Sequence, residues 1–141
     1  MRLVLDTNEY LFAFGLLKEP FCEEVIAAIL DQFPRHTLRI PAKILEEVRR
    51  NLTGEAFREF IAFLNTLSIT IDQDFSVPFE LGAKYEFKGL KPPDAFIAAY
   101  AEWVGADILV TENRHFLTLH IDLPFHIFPA GKCLKFLKVR R

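Results

Sequence analysis

The chain has 141 residues, 51% apolar and 26% charged, the balance of a folded domain and not of a disordered tail, and that length suits one core, so a single domain over 1–141 is expected. A net charge of −2 excludes gripping nucleic acid by bulk positive charge alone. The longest apolar run, Ala95 to Ala101, is far short of the roughly 20 residues that span a bilayer, so no membrane partner is expected.

The start "MRLVLDTN" lacks the apolar core of a signal peptide, and a cytoplasmic location is expected. Cys22 and Cys133 have no Cys or His at metal-ligand spacing and read as packing residues. Leu3 to Leu5 form a short strand, apolar on both faces, that ends in the bare carboxylate of Asp6. "FCEEVIAAILDQF" sets Cys22, Val25, Ile26, Ile29, Leu30 and Phe33 at spacings of three and four, an amphipathic helix that Pro34 stops. "TLRI" is a short strand, "PAKILEEVRRNL" a helix with Pro41 in its first turn, and "GEAFREFIAFLNTL" another with Phe57, Phe60, Ile61, Leu64 and Leu67 inward. "SITI" alternates as a strand, and a short helix around Phe79 to Tyr85 follows. "PPDAFIAAYAEWVG" is apolar on nearly every side, hence a central helix, with Gly105 as its C-cap. "DILVT" is a buried strand, "ENRHFLTL" a short helix, "FHIF" a last strand and "AGKCLKFLKV" a closing helix.

Strands alternating with helices imply an α/β fold, a parallel sheet covered on both faces, whose site lies beyond the carboxyl ends of the strands. Three acids fall where that edge would gather them. Asp6 ends the first strand and Asp94 begins the central helix, sharing a face with Ile97, Ala98 and Ala101. On the helix after "TLRI", Glu47 lies roughly 60° from Ile44 and Glu46 roughly 160° away, so Glu47 flanks the buried stripe. Singly, Asp6 and Asp94 also read as N-caps and Glu47 as a solvated neighbour of Arg50. Together, three carboxylates with no Lys or Arg adjacent in sequence repel one another unless a cation joins them, and oxygen ligands suit Mg²⁺ or Mn²⁺.

"LDTN", "ILEEV" and "KPPDAFIAAYAEWVGADILVTEN", at these separations, resemble the PIN-domain nucleases, specifically the toxin-type (VapC-like) ribonucleases of toxin–antitoxin pairs. The resemblance implies a three-layer α/β/α sandwich with a five-stranded parallel sheet and a metal-dependent endoribonuclease acting on RNA. It places Asp6, Glu47 and Asp94 as catalytic acids and metal ligands, with Thr7, Asn8 and Thr111 in support. It also implies a homodimer and a small antitoxin partner. The family often carries a fourth acid where this chain has Asn113, so Asn113, with Glu112 before it, would complete the shell or orient water, and the departure favours a one-metal site. At Glu9, where the family usually has an apolar residue, the chain departs again.

A phosphodiester is an anion, so a metal must cancel the acids before they act on it. Two other readings compete. An aspartyl phosphatase needs Asp-x-Asp, and position 8 is Asn; a PIN-like scaffold would bind RNA or a protein without cutting. His36, His115, His120 and His126 fall outside the expected site. Lys132, Lys135, Lys138, Arg140 and Arg141 form a basic end that reads either as a solvated helix terminus or as a phosphate-contacting patch.

Overall fold

In the computed structural model, which describes residues 1–139, the sheet has the order β2-β1-β5-β6 with all neighbours parallel. Strand β1 (Arg2–Leu5) and strand β5 (Ile108–Val110) lie side by side, Leu3 opposite Ile108 and Leu5 opposite Val110. All six apolar residues of that pair are essentially inaccessible, as a strand covered on both faces requires. Strand β2 (Thr37–Leu38) flanks β1, and β6 (His126–Phe128) flanks β5.

The expected fifth strand is not part of this sheet. The segment "TLRI" divides at Arg39: β2 stays on β1, while β3 (Ile40–Pro41) turns away to pair with β4 (Ile71–Asp72), Ile40 opposite Ile71. One interaction and one missing donor set the break. Arg39 directs its guanidinium onto Asp72, Nε to Oδ2 at 2.9 Å and Nη2 to Oδ1 at 2.7 Å, which draws the chain toward β4. Pro41 lacks an N–H to continue a ladder.

Helix α1 (Thr7–Phe14), which only the N-cap reading of Asp6 implies, starts directly at Asp6 and sets the Tyr10 and Phe60 rings in a T-shaped contact, centroids 5.1 Å apart. Helix α2 (Pro20–Asp31) buries Cys22, Val25, Ile26 and Ile29 as its spacing predicts, whereas Leu30 and Phe33 stay largely exposed. Helices α3 (Ala42–Asn51) and α4 (Gly54–Thr66) follow, then α5 (Phe79–Phe87). The central helix α6 (Pro92–Trp103) buries Ala95 and everything from Ile97 to Ala101. It ends in paired bonds, Gly105 N–H to Glu102 C=O and Ala106 N–H to Ala101 C=O, and Gly105 takes the left-handed conformation at φ +68°. Gly105 therefore lies one residue beyond the cap, which is Val104. Helix α7 (Arg114–Leu117) follows β5, and α8 (Ala130–Val139) closes the described chain. Among the described residues no helix is long and apolar enough to cross a membrane.

Candidate active site at the carboxyl edge of the sheet

The site grows from the ends of β1 and β5. Asp6 is the N-cap of α1: Thr7 N–H donates to its Oδ1 at 2.8 Å, and the hydroxyl of the wholly buried Thr111, just past β5, donates to its Oδ2 at 2.9 Å. Its own N–H donates to Val110 C=O across the sheet, at 2.9 Å. Both carboxylate oxygens are thus fixed. Burial raises the Asp6 pKa, the bonds from Thr111 and Thr7 oppose the rise, and the charges of Asp94 and Glu47 add to it. The three acids therefore share one field.

Glu47 is brought in by α3. Thr7 Oγ1 donates to its Oε2 at 3.0 Å, so one residue of α1 links the first two acids. Its neighbour Glu46 points to solvent and pairs with Arg49 and Arg50, which Glu47 does not. Asp94 is the third residue of α6, not its N-cap; Lys91 holds the cap position and makes no side-chain capping bond. The N-cap reading of Asp94 is therefore overturned, because two prolines separate it from the cap. Asn113 Nδ2 donates to Asp94 Oδ1 at 3.3 Å. Asn113 is held in turn by its N–H to Thr111 Oγ1 at 3.0 Å and by its Oδ1, which accepts His115 N–H as the cap of α7. Asn8 is exposed in the first turn of α1.

The donors around Asp6, Glu47 and Asp94 are neutral hydroxyls, amides and backbone N–H groups, and no Lys or Arg forms an ion pair with any of the three among the described residues. An all-oxygen set that is negative and lacks a protein cation fits Mg²⁺ or Mn²⁺. The trio is open: its acids are joined through Thr7, Thr111 and Asn113 and do not form a group with ligand atoms within 4.8 Å of one another.

A tighter group lies beside it. Glu112 turns its Oε2 to Ala130 N–H, at 3.0 Å, at the start of α8, and it faces Glu9 and Cys22. Glu9 is buried under α1, and burial followed by the adjacent Glu112 pushes its pKa up to about 9. Sequence reasoning gave Glu9 no role. The available signal was its place four residues before Ala13, on the face that α1 buries.

A cleft of about 560 Å³ opens at the opposite, amino edge of the sheet, between Met1, His36, Asp107, Phe125 and His126, and none of the expected site residues lines it. His36 is buried there and bonds Gln32 at 2.7 Å; His115, His120 and His126 are exposed.

The family matched by the sequence is the PIN domain, over residues 3–120. No curated protein sequence matches the chain. Among solved structures, VapBC2 from Rickettsia felis, bound to a DNA fragment from their promoter, is similar in fold with a TM-score of 0.61 and 22% identity, covering 90% of this chain and 97% of that one.

Proposed function

The chain belongs to the PIN domain family, and from that premise we propose that it is a metal-dependent endoribonuclease, the toxin of a toxin–antitoxin pair. The observation that carries the proposal is the gathering of Asp6, Glu47 and Asp94 in one field, each oriented by a neutral donor and none neutralised by a protein cation.

Asp6, Glu47 and Asp94 would hold Mg²⁺ or Mn²⁺. When bound, the ion cancels their repulsion and polarises the phosphoryl group for attack by water. The remaining residues position. Thr111 aims Asp6, Thr7 aims Glu47 while its N–H fixes Asp6, and Asn113 aims Asp94. Asn113 also presents an amide where an acid would add a further charge, which suits one ion better than two. No histidine or cysteine nucleophile is called for.

The fold shared with a VapBC2 complex supports a small antitoxin as partner; RNA as substrate and a second copy of this chain are what the family resemblance implies. The test is incubation of structured RNA with the wild type in Mn²⁺, in chelator, and with Asp94→Asn in Mn²⁺. Cleavage by the wild type in Mn²⁺ only is expected. RNA retention by all three without cleavage would replace the nuclease with a PIN-like scaffold.

A further inference from the structure

The carboxylates of Glu9 and Glu112 and the Cys22 thiol converge from α1, from the segment after β5 and from α2. They bring one ligand atom each within 4.8 Å of one another, and Cys22 Sγ lies 3.7 Å from Glu9 Oε1. Glu9 is 2% exposed, and its Oε2 is buried with no donor. As a carboxylate that oxygen is orphaned; a proton on Glu9 would have the Glu112 carboxylate, within 4.8 Å, to face. Something positive must sit between the two carboxylates, a proton or a cation.

We propose that Glu9, Cys22 and Glu112 form a second, buried site for a thiophilic divalent cation of the zinc class. Three elements place three donors around one point, more than a shared proton uses, and the thiol favours a softer ion than the all-oxygen edge does. Charge closes as well. Exchanging the acid proton of Glu9 and the thiol proton of Cys22 for one divalent ion leaves the net charge of the group at −1, so the burial that suits the protonated cluster suits the metal form equally. Glu112 is anchored by Ala130 N–H and keeps its other oxygen for the ion. Bound there, the ion would tie α1 and α2 to the start of α8.

The site stands apart from the proposed nuclease function and is tested apart from it. The full chain, freed of metal by chelation, is titrated with Cd²⁺ while sulfur-to-cadmium charge-transfer absorption is followed in the ultraviolet. The expected result is a band that saturates at one equivalent, is displaced by Zn²⁺ but not by a large excess of Mg²⁺, and persists in Cys133→Ser and Asp94→Asn. Cys22→Ser should lose it. Glu9→Gln, which keeps the shape, should weaken it by more than about tenfold, the loss that even an outer-shell partner causes. Circular dichroism of each variant confirms that it is folded. A folded wild type without the band, a band retained by Cys22→Ser, or one lost with Asp94→Asn would each overturn the proposal, the first leaving a proton between Glu9 and Glu112.

Discussion

Both oxygens of Asp6 are spoken for, one by Thr7 N–H and one by the Thr111 hydroxyl, so this residue starts a helix and faces a site at once. Replacing Thr111 by Val keeps the shape and removes the donor. We expect Thr111→Val to cost about 1–3 kcal/mol in urea unfolding, the penalty for a buried polar atom left unpaired, and to weaken Mn²⁺ binding about 10- to 100-fold by calorimetry. Glu9 gives a prediction of opposite kind. Its ordinary pKa of 4.5 rises to about 9 on folding, so the folded chain holds a proton that the unfolded chain has released. The stability this contributes is complete below about pH 4.5 and is lost as the pH climbs to about 9. In metal-free protein, Glu9→Gln should therefore flatten the fall in unfolding free energy over that window, a slope of at most about 1.4 kcal/mol per pH unit. A slope equal to wild type would show that Glu9 does not carry the proton. Glu47 was separable from Glu46 in the sequence because helical angles relative to Ile44 are local information. The pairing of Glu9 with Glu112 was not, since about a hundred residues separate them and only the β1–β5 pairing brings them together.

Among elements, the strands and long helices with strong periodicity were legible, and the departures have local causes. Helix α1 was implied only by its N-cap because "DTNEYLFAF" mixes an acid into its buried face, Glu9 beside Tyr10 and Ala13, which blurs the stripe. The strand "TLRI" was readable as extended, but its division between two partners depends on a distant acid. Asp72 receives both Arg39 bonds and the Tyr100 hydroxyl at 2.6 Å, tying β4 to α6 as well as to the break. Burial would raise the Asp72 pKa, yet the Arg39 and Tyr100 bonds outweigh it and hold it below the ordinary range. The sign follows: this stabilisation is present above the ordinary carboxylate pKa of 3.8 and is lost as pH falls through the lowered value. Asp72→Asn should destabilise by about 1.5–3 kcal/mol at neutral pH, the worth of hydrogen bonds to a charged group, and the deficit should shrink toward zero in acid. Denaturant unfolding at both pH values reads it.

Over the whole molecule, the parallel α/β order points to the carboxyl edge of the sheet as the candidate site, because the ends of β1 and β5 are where polar residues interrupt an apolar sheet. Arg140 and Arg141 lie outside the described residues, and Lys132 rests over the Phe128 ring, its Nζ 4.6 Å from the centroid, which ties that lysine to the core. If the basic end meets RNA, replacing Lys135, Lys138, Arg140 and Arg141 with Gln should reduce the salt slope of single-strand binding by about 0.7 for each phosphate no longer neutralised; an unchanged slope assigns the end to solvent. The central claim is that Asp6, Glu47 and Asp94 together hold an ion, and Asp94 tests it most directly, since beyond the bond from Asn113, which an Asn at 94 can also accept, its position three residues into α6 gives it only a helix-dipole interaction of about 0.3–1 kcal/mol. The measurement is unfolding by denaturant of wild type, Asp94→Asn and Asp94→Ala, in chelator and again in Mn²⁺. In chelator, Asp94→Asn should match or exceed wild type, because losing the charge relieves repulsion from Asp6 and Glu47. In Mn²⁺ wild type alone should gain substantially, by mass action on the folded state. Equal gains in all three proteins would contradict the account, for they would show an ion bound without Asp94.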